Sequence, residues 1–170
     1  MSQNMSIVRL ESSDKVLFEV HYDVIKCSET IRKALQDLGD EDDFGVLPVP
    51  KVSSQILEMV LNWATYHKND IPKVIDEDAE EDESMEKRTD DICAWDTNFL
   101  NVDQGILYEI ILAANYLNIQ NLLHTTYRTV ANMIKGKTTE QIRQTFSLVN
   151  DFTPEEEEEM RREADWCKWD

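Results

Sequence analysis

Val102–Phe146 reads VDQGILYEIILAANYLNIQNLLHTTYRTVANMIKGKTTEQIRQTF. Wound at about 100° per residue, Gln104–Leu117 carries an apolar stripe of Ile106, Ile110, Ala113, Ala114 and Leu117, widened by Leu107 and Ile111. Tyr108, Leu112 and Tyr116 form a second stripe at i, i+4 and i+8, with Asn115 beside it. A surface helix ordinarily shows one apolar and one polar face. This one is apolar or aromatic almost all round. Either it is buried on both sides within its own domain, or one side waits for a partner.

On the N-terminal side of this stretch the periodicity changes. Ile7–Leu10 and Val16–Val20 read as strands, joined by the polar Ser12-Ser13-Asp14-Lys15, which is hairpin chemistry. Ser28 is a helix N-cap ahead of Ile31, Ala34, Leu35 and Leu38, and Gly39 supplies the stop. Val46–Val49 is a short apolar run whose Pro48 suits an edge strand. Ile56, Met59, Val60, Trp63 and Ala64 predict a helix that follows Ser53-Ser54 and ends near Asn69. Residues 73–91 hold the acidic run Asp76–Glu83 and no apolar period, which predicts a disordered loop. A short helical piece is expected at Trp95–Leu100.

On the C-terminal side, Thr138 and Gln141 have capping-box spacing ahead of Ile142 and Phe146. Thr153, Pro154 and Glu156 repeat that signature with proline at the first helical position. Glu155–Glu159 then place negative charge at the positive end of a helix dipole. Met160, Ala164 and Cys167 make only a thin apolar face, and Trp166 and Trp169 close the chain. A helix with so thin a stripe gains little by docking on its own domain, and tryptophan is a frequent interface anchor. Few strands among many helices, without βαβ alternation, give the class α+β.

Composition narrows the function. The 170 residues carry 17 basic and 35 acidic side chains, a formal net charge of −18. Such a field repels nucleic acid and anionic membranes. No apolar run approaches the roughly 18–20 residues that span a bilayer, and the N-terminus lacks a secretory core of about 7–15 apolar residues. Three dispersed cysteines, Cys27, Cys93 and Cys167, fit reduced thiols. The expected location is cytoplasm and nucleus.

Catalytic chemistry is thin. Only four glycines occur, none in a phosphate-binding loop. His21, His67 and His124 are isolated in sequence, so no metal-ligand set and no cofactor are expected. A Cys93–His124 nucleophile pair lacks any supporting motif. The acidic loop lacks the central glycine and alternating ligands of an EF-hand.

Lys87-Arg88-Thr89-Asp90-Asp91-Ile92, Trp95-Asp96, Val102-Asp103-Gln104-Gly105, Ile111–Leu117, Thr129–Thr138, Asn150-Asp151-Phe152-Thr153 and Trp166-Cys167 together carry a family resemblance. Over nearly its whole length the chain resembles the S-phase-kinase-associated adaptor family of the SCF (cullin–RING) ubiquitin ligases. The resemblance implies a BTB/POZ fold, a small three-stranded sheet with helices, extended by C-terminal helices that bind the F-box of a substrate receptor. The implied division is residues 5–72 for the N-terminal part of the BTB/POZ domain, 73–91 for the acidic loop, 92–135 for its helical remainder, and 136–170 for the F-box-binding helices. The implied function is a non-catalytic adaptor that bridges a cullin N-terminal domain and F-box proteins. Asn115 and Tyr116 match family positions that face the cullin. Tyr108, Leu123, Val130, Ile134, Phe146 and Trp166 match apolar positions used around the F-box. The residue count agrees with an absence of ligase chemistry: two tetrahedral zinc ions need eight ligands, more than three cysteines and three histidines offer. Thr139 departs from the proline that many relatives carry. Two other readings stay open: a BTB scaffold that self-associates, including a weak homodimer of the unbound chain, and an F-box partner acting outside SCF.

Overall fold

The computed structural model describes residues 7–38, 45–70 and 92–166, without the side chains of Leu38, Asp165 and Trp166. The expected Gly39 stop and the acidic loop at 73–91 lie outside the described residues. The chain divides into two compact units, residues 1–133 and 134–170.

The first unit begins as its alternation dictates. Strand β1 (Ile7–Glu11) buries Val8 and Leu10 and exposes Ile7 and Arg9. Strand β2 (Leu17–His21) pairs with it antiparallel, in the register Val8↔Val20 and Leu10↔Phe18. This puts Arg9 opposite Glu19, whose side chains pair at 3.4 Å. Lys15 takes φ 67° in the turn, and Ser12 N–H donates to Val16 O at 3.0 Å. Strand β3 (Val46–Pro48) runs parallel to β1 and completes a sheet of order β2-β1-β3. Pro48 therefore stands on an edge strand, where its missing N–H costs no ladder bond.

Helices cover the sheet. After α1 (Tyr22–Ile25) and α2 (Glu29–Leu38), helix α3 (Ser54–His67) turns Ile56, Leu57, Val60, Trp63 and Ala64 inward. Its first N–H group, that of Ser54, finds an acceptor outside the helix. Asp14 of the β1–β2 turn accepts from Ser54 N at 2.8 Å and from the Ser54 hydroxyl. Those bonds, led by the Ser54 hydroxyl and then Ser12, lower the Asp14 pKa from 3.8 to about 2. Helix α4 (Ala94–Phe99) follows, and α5 (Gln104–Tyr116) packs on α3. Helix α6 (Gln120–Ile134) adds Leu122, Leu123 and Thr126 to the buried set.

The end of α5 meets the start of α2. The buried Ser28 hydroxyl donates to Leu117 O at 2.6 Å and accepts from Ile31 N at 3.3 Å. Ser28 is thus the cap its spacing predicts and also a clasp on the last turn of α5. Thr30 Oγ1 adds a bond to Tyr116 O at 3.1 Å, and Asn118, at φ 51°, donates to Glu29 at 2.6 Å. Carbonyls left over at one helix terminus are satisfied by groups at the other.

The second unit holds α7 (Thr139–Thr145) and α8 (Pro154–Trp166). Both predicted capping boxes form. Thr138 accepts from Gln141 N, and Gln141 returns an oxygen to Thr138 N at 2.9 Å. Thr153 and Glu156 do the same. Arg143 pairs with Glu157 at 3.2 Å and lies over the Phe152 ring. None of the unit's described side chains is buried. Among the described residues, no helix is long and apolar enough to cross a membrane.

Candidate functional site

The two stripes of α5 have different fates. Leu107, Ile110, Ala113, Ala114 and Leu117 are buried, with Ile106 and Ile111 half-buried against them. Tyr108 is 43% exposed and Leu112 66%. Of the two explanations for an all-apolar helix, burial on both sides therefore fails. One face of α5 enters the core and the other presents a tyrosine and a leucine to solvent. Asn115 is exposed on the last turn, and Tyr116 is half-buried with Lys51 Nζ 5.5 Å from its ring centre. A cleft of about 310 Å³ opens beside Leu112, between Lys51 and Ser53 on one side and Glu109 on the other.

Helix α6 continues the pattern with one difference. Leu123 is only 8% exposed and belongs to the core. In the chain alone, Leu123 lies on the inward face of α6 and is buried there together with Leu122. Val130 is half-buried, while Tyr127 and Ile134 are exposed. Leu123, Tyr127, Val130 and Ile134 recur at i, i+4, i+7 and i+11, one helical stripe that is buried at Leu123, half-buried at Val130 and exposed at Tyr127 and Ile134.

In the second unit, Phe146 is half-buried at the end of α7. Leu148, Phe152 and Met160 are exposed, and Val149 is 87% exposed. Trp166 is the last residue of α8, and its side chain lies outside the described residues, as do Cys167 and Trp169.

A separate polar cluster joins α3 to α4. Asp96 is buried, accepts from Trp63 Nε1 at 2.9 Å and stands 3.0 Å from His67 Nε2. Cys93, the N-cap of α4, donates its thiol to Asp96 Oδ2 at 3.2 Å and accepts from Asp96 N at 3.3 Å. Desolvation, helped by the Asp96 carboxylate, raises the thiol pKa. His67 is thus isolated in sequence only, and Cys93 is paired with Asp96 rather than His124. The spacing Cys-x-x-Asp at a helix start carried part of that signal. The link to His67 depends on how α3 and α4 meet, which no local spacing encodes.

Comparison with known proteins bears directly on these surfaces. The Skp1 family's tetramerisation-domain pattern matches residues 6–69, and its dimerisation-domain pattern matches residues 120–167. A Skp1-related protein of Caenorhabditis elegans is 50% identical over 165 residues, covering 95% of this chain and 91% of that protein. The chain belongs to the Skp1 family. Two Dictyostelium discoideum proteins, SCF ubiquitin ligase complex proteins SKP1a and SKP1b, are each 48% identical over 164 residues, covering 96% of this chain and 97% of theirs.

In this Skp1-family chain the α+β architecture and the family resemblance stand as the sequence implied them. The exposed side chains include Leu112 of the second stripe, which the family positions do not name, and extend to residues the sequence did not single out. Leu112 lies between Tyr108 and Tyr116 on their own stripe. Tyr127 shares a stripe with Val130 and Ile134. Val149 sits in a segment without periodicity, where no pattern separates an exposed valine from a buried one.

Proposed function

We propose that the chain is a non-catalytic adaptor of an SCF ubiquitin ligase, bridging a cullin scaffold and F-box substrate receptors for ubiquitin-dependent degradation. One observation carries the reading. Large apolar side chains stand exposed at the end of α6 and through the second unit, which has no buried side chain among its described residues. Large apolar side chains left exposed in this number support a protein-binding role. Membership of the Skp1 family, together with Dictyostelium relatives named as SCF components, supports the F-box as its occupant. Exposed Asn115 beside Lys51-capped Tyr116, on the other end of α5 from the Asp103 cap, supports a second and separate docking point for the cullin N-terminal domain. Among the F-box positions, Tyr108, Val130, Ile134, Phe146 and Trp166 act as anchors, and Leu123 supports them from the core. The free thiols of Cys27 and Cys93 support a reducing compartment, the cytoplasm and nucleus.

Reconstitution with an F-box domain and a cullin N-terminal domain tests the bridge. A ternary 1:1:1 complex is expected on size exclusion. Changing Asn115→Lys together with Tyr116→Ala should release the cullin and leave the F-box bound. Equal loss of both partners would show a folding defect, and binding of neither would refute the adaptor reading. The family's dimerisation and tetramerisation descriptions favour one further reading, weak self-association of the unbound chain. A mass measurement across micromolar concentrations decides it.

A further inference from the structure

The polar cluster between α3 and α4 has an excess of acceptors. His67 faces two carboxylates, with Nδ1 against Asp70 and Nε2 3.0 Å from Asp96. A neutral imidazole carries one N–H and serves only one of them. The nitrogen, thiol and carboxylate ligand atoms of His67, Cys93 and Asp96 all lie within 4.8 Å of one another. Around a tetrahedral ion with ligand bonds of roughly 2.0–2.3 Å, neighbouring ligand atoms stand roughly 3–4 Å apart. His67 Nε2 is 3.0 Å from Asp96 Oδ1 and Cys93 Sγ is 3.2 Å from Asp96 Oδ2, so the nitrogen and the sulfur each already lie against one oxygen of the same carboxylate near that spacing.

We propose that His67, Cys93 and Asp96 bind a borderline-soft divalent cation, with zinc the best-fitting, which staples the end of α3 to the start of α4. Nitrogen, sulfur and oxygen donors together suit zinc and its neighbours, whereas calcium and magnesium require oxygen ligands throughout. The surroundings are those of a prepared site. Asp70 on Nδ1 fixes the tautomer that leaves Nε2 bare for a metal, the arrangement by which an outer carboxylate orients a histidine ligand. Trp63 stacks on the His67 ring at 4.3 Å, and Tyr66 and Trp95 meet its edges, so the ring plane is set before any ion arrives. Trp63 Nε1 and Asp96 N hold the carboxylate and the sulfur respectively. On binding, the Cys93 thiol loses its proton to solvent. Cation, thiolate and Asp96 carboxylate then sum to zero charge, which offsets the cost of a buried carboxylate. Three protein ligands leave a fourth position for water or an external donor. The chain's net charge of −18 favours entry of the cation.

Cobalt reports thiolate ligation directly, by a sulfur-to-metal charge-transfer band in the near ultraviolet. The reduced full-length chain is titrated with Co2+ in excess Mg2+, which occupies the acidic run. The band is expected in the wild type and in C27S/C167S, where Cys93 is the sole thiol. It should vanish on adding zinc and be absent in Cys93→Ser, a substitution at an exposed side chain. Asp70→Asn should weaken binding by about 10–100-fold. No band in wild type, or a band that survives Cys93→Ser or His67→Gln, overturns the site.

Discussion

Ser28→Ala tests the clasp that fixes the C-terminal end of α5. The side chain is 1% exposed, and its hydroxyl makes two bonds, to Leu117 O and from Ile31 N. Loss of a serine cap costs about 1 kcal/mol. Leaving a buried acceptor without its partner costs about 1–3 kcal/mol. The two overlap, because Leu117 O keeps a long contact to Thr30 N at 3.4 Å. The expected destabilisation is therefore about 2 kcal/mol. With a urea slope of roughly 1–3 kcal/mol/M, the unfolding midpoint falls by roughly 1 M. Urea unfolding followed by tryptophan fluorescence measures it, since Trp63 is buried in the same unit. The comparison is Thr30→Val, which removes the Thr30–Tyr116 bond at an exposed position and should cost about 0.5–1 kcal/mol. A loss below about 0.5 kcal/mol for Ser28→Ala, or equal losses for the two variants, would refute the argument that burial makes this clasp.

Further outcomes follow from the same geometry. Ile134→Asp and Trp166→Ala should each weaken F-box binding by at least tenfold in calorimetry, while Leu123→Ala should lower the free energy of unfolding by about 2–5 kcal/mol, as a core truncation does. Tyr127→Ala, at an exposed position on the same stripe, should lower F-box affinity with little effect on stability. Thr153→Ala removes the α8 cap and is expected to weaken F-box binding without moving the main urea transition. Asp14 sets an acid dependence. Its folded pKa is lowered to about 2 from 3.8, so its contribution is fully present above about pH 4 and is lost as pH falls towards about 2. Asp14→Asn should remove that part of the slope in acid denaturation monitored by circular dichroism.

Much of the fold was legible because local chemistry and tertiary outcome agree. The β1–β2 hairpin, the edge position of Pro48, the Ser28 cap and both capping boxes each follow from a few neighbouring residues, and each forms. The apolar stripes of α3 and α5 identified most core-facing side chains in the same way, although Leu57, fully buried, lies off the α3 stripe and Met59 on it is only partly buried. Three things were not legible. The cap of α3 comes from Asp14, forty positions before Ser54. The burial of Leu123 depends on which side of α6 meets the core, and its heptad-like spacing to Tyr127 and Val130 permits either. The convergence of His67, Cys93 and Asp96 joins two helices across a stretch with no pattern of its own. All three are contacts between distant segments, which periodicity in one segment does not specify.

The distribution of burial separates the two units by what stabilises each of them. Every buried apolar side chain among the described residues lies in the first unit. That unit carries its own hydrophobic stabilisation, and Asn115 and Tyr116 sit on a turn clasped by Ser28 and Thr30 from within it. The second unit relies on local devices: two capping boxes, the Arg143–Glu157 pair and the Lys137–Thr145 bond. Its helices, of 7 and 13 residues, are of a length that is marginal without tertiary packing. A partner that covers Val149, Phe152 and Met160 would supply the burial this unit lacks. Affinity on that side should then depend on helix formation as well as on contact area. The first unit, already packed, presents Tyr108, Leu112 and Asn115 on a helix whose other face is buried, so it needs no partner to form.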